Sequence, residues 1–481
     1  MTIDEERSGA VGSQQWTVGI VSLASFMVGL DVLVLMTALP TLRVELDADT
    51  AGLGWTINAY EIGYAALILT GAALGDRFGR RLLFVLGVGL FTAGSAVAAL
   101  SNSIEWLIAA RAVQGLGGGV ATALALALIS AATPPEKRGA AFGIWGAVTG
   151  TAIAVGPLVG GAIVHALTWQ WIFWINVPIG IALIAVTLTK ISESKGGPVL
   201  VDFVGLALSA AGVVVLAQAL LRGGDVGWGE PSIVGGIVGG LVLLAAFVVW
   251  EHRTPAPMMP LSMFRERSFT GGCFSGFALG AALYGQVFLF AQYLQFALGH
   301  DALGVGLRLL PWVSLAPLVA PVAGQLTDRI GERPLVIASL LLFALPFLVV
   351  GPLVADDRGY PALVIPLVIS GVGIATAYVA TISAVMRTVD PDRLGMASGV
   401  ANTIRQVGAV FGVAIGIAVF SSYGDFSSPA SFVDGYTPAV LVLVVITLLG
   451  IVPAAAIRKP SDSGTAPAPD HGTSSRPVSS H

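Results

Sequence analysis

Residues 75–81 read GDRFGRR, and about 252 positions later residues 327–333 read TDRIGER. Each stretch joins two runs of apolar residues long enough to cross a bilayer, so the chain repeats one unit: an apolar helix, a tight basic loop, an apolar helix. In both copies an Asp sits at a helix boundary, where it accepts backbone N–H groups and pairs with arginines, and a Gly permits the reversal. Gly75, Asp76, Arg77, Gly79, Arg80 and Arg81 make the first loop, and Asp328 and Arg329 the core of the second. Such pairing would latch two helix ends together in one conformational state. The plainer reading is a positively charged anchor with a turn glycine, which the repetition weakens.

The rest of the chain agrees with a membrane setting. Of 481 residues, 55% are hydrophobic and 11% charged, and the mean hydropathy is +0.86, far from the balance of a soluble domain. Apolar windows place helices near 16–39, 52–74, 82–100, 105–130, 139–164, 171–190, 201–221, 232–250, 268–294, 302–325, 334–354, 361–386, 394–420 and 437–457. The expected fold class is an all-α polytopic membrane protein of about fourteen spans. With a cytoplasmic N-terminus, eighteen basic residues fall inside and only Arg43, Arg222 and Arg358 outside, which sets both termini in the cytoplasm. The polar, acidic start MTIDEERSGAVGSQQ has no basic region leading a short apolar core, so no cleaved signal peptide is expected. The Ser/Pro/Ala-rich end, 458–481, is expected to be a disordered cytoplasmic tail.

Against this background the internal charges need reasons. GLDVLVLMTALP, residues 29–40, carries Asp31 in an otherwise apolar helix, at a cost of roughly 2.5 to 3.5 kcal/mol near a membrane centre. From the helical rise, Asp31 lies about 12 Å from the outer end of its helix, Glu61 about 14 Å below the outer surface and Arg111 about 9 Å below it. These three form the expected proton-coupling group, because burial and a neighbouring Arg act in opposite senses on a carboxyl group, a balance that proton carriage requires. Asp31 is alternatively a structural neutraliser of Arg111, and Glu61 a solvent contact in a wide vestibule. Arg308 lies close enough to the outside to snorkel. Arg405 reads as a packing or gating residue near Asn402 and Gln406. Tyr60, Tyr64, Trp145, Tyr284, Tyr293 and Tyr378 are candidates for an aromatic cavity wall. Gln114, Gln292, Gln295, Asn402 and Arg405 are expected to add polar groups to it.

GAALGDRFGRR (71–81, from Gly71 to Arg81) resembles the loop signature of the major facilitator superfamily, and RAVQGLGGG (111–119) its fourth-helix motif. GAVTGTAIAVGPLVGG (146–161) is similar to the fifth-helix motif that marks antiporters there. LDVLVLMTALP (30–40), WQWIFWINVPIG (169–180), YLQ (293–295), GLRLLP (306–311) and ASGVANTIRQVG (397–408) resemble the fourteen-span drug:proton antiporter branch. The resemblance runs in order along nearly the whole chain. It implies two six-helix bundles, 16–190 and 264–457, preceded by a cytoplasmic segment 1–15, separated by an inserted helix pair with its linkers, 191–263, and rocking around a midplane cavity. In the antiporter motif Gly146, Gly150, Gly156, Gly160 and Gly161 are expected to admit another helix backbone to backbone, and Pro157 to bend its own.

The implied function is proton-coupled export of amphipathic drugs or antibiotics, hydrophobic or cationic by the acids beside aromatics. The alternative is a symporter or metabolite carrier on the same fold. The expected partners are a small-molecule substrate, protons and the lipid bilayer of a bacterial cell membrane, with the chain acting as a monomer. Nucleic acid is disfavoured by the net charge of −4. No enzyme, cofactor or metal is expected: GxxxxGK[ST] and HExxH are absent, His165, His252, His300, His471 and His481 are scattered, and Cys273 is alone.

Overall fold

Capping residues divide the apolar sequence into separate helices. Side-chain oxygens of Asp49, Ser103, Asp202, Asp301 and Ser428 each accept a backbone N–H three residues on, fixing where a helix begins. The computed structural model describes residues 3–134, 138–195, 201–356, 358–389 and 394–458, and among these every regular element is helical. Among the described residues, fourteen helices are long and apolar enough to cross a membrane. Beyond Arg458, the tail expected to be disordered lies outside the described residues, as do Lys137 and Arg393.

The first bundle comprises α1 (Ile3–Glu45), α2 (Thr50–Phe78), α3 (Arg80–Ala99), α4 (Ile104–Ala132) and α5 (Arg138–Ala166), with α6 (Trp171–Trp174) and α7 (Asn176–Lys190) making its sixth span. The inserted pair is α8 (Phe203–Val226) and α9 (Pro231–Arg253). The second bundle comprises α10 (Arg267–Gln292), α11 (Ala302–Val313), α12 (Ala316–Ile330), α13 (Glu332–Ala355), α14 (Tyr360–Met386), α15 (Leu394–Tyr423), α16 (Pro429–Leu449) and α17 (Ile451–Ala455). A π turn, Tyr293–Ala297, extends α10. Pro317, without an N–H, helps to break the tenth span between α11 and α12. α1 reaches back to Ile3, beyond the span read from hydropathy.

An even number of spans puts both chain ends on one face, the terminal face, opposite a far face. Within the first bundle α2 packs on α4 and α1 on α5; within the second α10 packs on α15 and α13 on α14. Across the bundles α2 meets α15 and α5 meets α11. α8 lies over the α2–α15 contact, while α9 packs on α8 and leaves Val234, Val238, Leu241, Val242, Val248 and Val249 exposed, an apolar surface suited to lipid.

Candidate functional site

Asp31 is the centre of a closed polar node. It is 3% exposed and forms an ion pair with Arg111. Its other oxygen accepts from Gln114 Nε2 at 3.1 Å and from Asn176 Nδ2 at 2.8 Å. Arg111 donates further to the Thr56 carbonyl at 3.1 Å and to Gln114 Oε1 at 3.0 Å, and its guanidinium lies 4.3 Å from the Tyr60 ring centre. Ser95 takes a bond from Gln114 at 2.6 Å. The node therefore ties α1, α2, α3, α4 and α7, with the carboxylate satisfied on both oxygens. Asn176 and Ser95 were missed by sequence reasoning. Asn176 stands with Gln170 as one of two polar residues in the apolar run WQWIFWINVPIG, and that was the available signal.

Glu61 departs from the expected trio. It projects from α2 toward the second bundle, is 0% exposed, and its Oε2 accepts from Gln406 Nε2 of α15. Its Oε1 accepts no hydrogen bond of good geometry among the described residues, although the Tyr284 side chain of α10 and the Arg405 guanidinium lie beside the carboxyl group. Equal depth along separate helices suggested one cluster, but helix rotation divides it: Asp31 and Arg111 face inward within their bundle, and Glu61 faces the contact between bundles.

Between the bundles lies a cavity of about 570 Å³. Tyr60, Tyr64, Trp145, Tyr284, Tyr378, Asn402 and Arg405 line it; Tyr293, also a candidate for the wall, does not and stacks on Tyr436. Trp145 Nε1 donates to Ser25 Oγ at 2.8 Å, and the Arg405 guanidinium bonds Asn402 and sits 5.1 Å from the Tyr378 ring centre. Gln114, Gln292 and Gln295 do not line it. Gln114 is consumed by the Asp31 node, and the other two sit at the far end of α10, with Gln292 buried there. Neither Asp31, Glu61 nor Arg111 reaches the wall, so its charged member among the described residues is Arg405.

Contacts across the bundles close the far face. A methyl group on Gly161 would stand 2.5 Å from the Ala302 carbonyl oxygen of α11, and one on Gly306 would strike the Pro157 carbonyl. Arg43 lies 3.6 Å from the Phe426 ring centre, and His165 Nδ1 is 2.7 Å from Asp301 Oδ2. Asp301 is held below the ordinary carboxylate range chiefly by the Gly304 N–H, with His165 adding to the effect. Gly156 and Gly160 instead pack on α1, at Leu33 and Val34. Gly146 and Gly150 correct the expectation for the motif: nothing lies within 4 Å of a side chain placed there, and both face the cavity.

The repeated loops are tied differently from each other. Asp76 pairs with Arg80 at 2.8 Å, while Glu193, just past α7, accepts the Arg81 and Leu82 amides at 3.0 and 3.1 Å. Gly79, at φ +122°, turns the chain over the Glu193 carboxylate. Gly71 and Gly75 let α2 approach α4, and Arg77 lies over Phe78. In the second loop Asp328 pairs with Arg387 after α14, not with a loop arginine; Arg329 is exposed and outside any ion pair among the described residues.

The sequence matches the Major Facilitator Superfamily in two overlapping stretches, 21–318 and 272–480. It is 33% identical over 405 residues to the multidrug resistance protein Stp of Mycobacterium tuberculosis, covering 84% of this chain and 75% of that one. It is 31% identical to the tetracenomycin C resistance and export protein of Streptomyces glaucescens, covering 96% and 84% of the two chains. The puromycin resistance protein pur8 of Streptomyces alboniger is 31% identical, with 91% and 90% covered. Among solved structures, a D-xylose-proton symporter superposes with a TM-score of 0.68 at 14% identity, over 92% of this chain and 97% of that one, a likeness of fold. With fourteen spans in two six-helix bundles and an inserted pair, the chain belongs to the major facilitator superfamily, a family of transporters rather than enzymes.

Proposed function

We propose that the protein is a proton-coupled antiporter that exports amphipathic small molecules, antibiotics among them, across the cytoplasmic membrane of a bacterial cell. The bias of basic residues makes the terminal face cytoplasmic. Contacts across the far face then leave the cavity served from the cytoplasm, ready to load substrate. The resistance names of the relatives favour export of drugs. An aromatic and apolar wall accepts varied ligands by contact area. Because Arg405, and no carboxylate among the described lining residues, supplies the wall's charge, the reading favours amphipaths that are neutral or bind as the free base over fixed cations.

The observation that carries proton coupling is Glu61: a buried carboxyl group beside Tyr284, held by Gln406 at a contact that must part when the cavity opens outward. Asp31, fully bonded by Arg111, Gln114 and Asn176, is assigned to structure. Proton uptake by Glu61 while the seam is open would remove its charge and so favour reburial of the carboxyl group as α2 and α15 close again. A pump-deficient bacterial host expressing the protein tests the reading. Raised tolerance to puromycin or another aromatic amphipath, abolished by a protonophore, is expected. Proton-driven accumulation of the same compound in right-side-out vesicles would instead support the symporter alternative.

A further inference from the structure

We infer that protons from the far side reach Glu61 along the seam between α2 and α15, that Asn58 is the polar residue holding this route, and that the inserted helix α8 is its wall against lipid. The inference rests on Glu61 as the transport carboxyl. Gly54, Asn58, Glu61 and Ala65 follow at intervals of 4, 3 and 4, which stacks them on one face of α2. That face meets α15: a methyl group on Gly54 would stand 2.5 Å from Ile417 Cδ1, Glu61 accepts from Gln406, and the Ala65 carbonyl accepts from Thr403 at 3.5 Å. Asn58 stands one turn from Glu61 toward the far face. It is 0% exposed, and neither its amide nitrogen nor its oxygen has a partner among the described residues. A buried amide with both ends unbonded is disfavoured in a dry seam and favoured in one that admits water.

Beyond Asn58 the seam is plugged by apolar side chains. Leu221 of α8, itself fully buried, brings Cδ2 to 2.8 Å from the position of a Gly54 side chain. Val213 and Ala217 of α8 pack with Ile62 and Val410, covering the lipid side. α8 is seated on α15: a methyl group on Gly224 would lie 2.9 Å from the Ala418 carbonyl, and Trp228 Nε1 donates to Ser422 at 3.3 Å. Its polar tie to α2 is the Trp55 Nε1 bond to Gln218 Oε1, 2.6 Å. When the far ends part, α8 travels with α15, and Leu221 and Ile417 withdraw from Gly54. Far-side water then bonds the Asn58 amide, and a proton passes from that water to Glu61 Oε1, to be released on the cytoplasmic side after closure. The charges that act on Glu61 are Arg405 first and then Arg111, with the Tyr284 side chain also beside it.

Proteoliposomes loaded with puromycin separate the possibilities. Asn58→Leu is expected to slow gradient-driven efflux about tenfold or more, as loss of a proton-relay group does, with puromycin counterflow, which moves no net proton, largely retained. Asn58→Ser, which keeps a hydroxyl for water, is expected to recover most of the rate. Unchanged gradient-driven efflux in Asn58→Leu overturns the inference, and so does equal loss of counterflow. If Glu61→Gln itself keeps gradient-driven efflux, the reading of Glu61 falls whatever Asn58 does. Should Asn58→Leu not fold, Asn58→Cys in a Cys273→Ala background decides. An impermeant maleimide on the far side is expected to label it during turnover, faster with Leu221→Ala; absence of labelling overturns the route.

Discussion

Asp31 and Glu61 are two buried carboxyl groups in one bundle, yet their surroundings give them opposite consequences on substitution. Asp31→Asn leaves the Arg111 guanidinium buried without its carboxylate, and removing one member of a buried pair costs about 3–5 kcal/mol. Thermal unfolding in detergent is expected to shift down by many degrees, with transport lost alongside stability. Glu61→Gln keeps an oxygen for Gln406 to bond and leaves no buried cation without its ion-pair partner, so it is expected to lower the melting temperature less than Asp31→Asn does. Transport by Glu61→Gln is expected to lose its dependence on the proton gradient. If Asp31→Asn melts like the wild type but does not transport, Asp31 acts in the cycle itself.

At the scale of the helix, α5 shows why spacing alone misled. Gly146 and Gly150 share a face, and so do Gly156 and Gly160, but ten residues at 100° each rotate the second pair by about 80° from the first. The first pair borders the cavity and the second meets α1, while Pro157 and Gly161 meet α11. Gly161→Val is therefore expected to abolish transport by holding the far face apart. Gly146→Ala is expected to stay within about twofold of wild-type efflux, since a methyl group there meets open space. Drug-efflux assays on matched expression levels check both. In the far-face loop, Asp425 is held at about 2, below its ordinary 3.8, by the Ser427 hydroxyl first and then by the Ser427 amide and Ser431. A depressed carboxyl group stabilises the folded state above its unfolded value and loses that contribution as pH falls through the folded one. Asp425→Asn should thus cost the same between pH 8 and 5, progressively less as pH falls below 4, and nothing only well below pH 2, read from melting temperatures.

For the whole molecule, span number, the repeated loop and the family were legible because each depends on local composition: apolar length, basic loops and glycine at tight reversals. The candidate site was legible in part. Tyr60, Tyr64, Trp145, Asn402 and Arg405 do line the cavity. Of Asp31, Glu61 and Arg111, the structure pairs the first with the third and bonds Glu61 to Gln406 of the other bundle, a division that depth along a helix cannot show because it carries no information about which neighbour a face meets. Asn58, Asn176 and Ser95 were silent, since a single amide or hydroxyl in an apolar helix is ordinary until its partners are known. The inserted pair, a mere interruption in the sequence, bridges α2 and α15 through Gln218, Leu221 and Gly224. In this account one bundle rocks against the other, α8 moves with α15, and Glu61 exchanges a proton as the seam opens and closes.

The most direct test is proton movement evoked by substrate. Purified wild-type protein and Glu61→Gln would be reconstituted into liposomes containing pyranine, and internal pH followed when puromycin is added at equal initial pH on both sides. The account predicts a substrate-dependent pH change in wild type, absent in Glu61→Gln. An undiminished pH change in Glu61→Gln would contradict it.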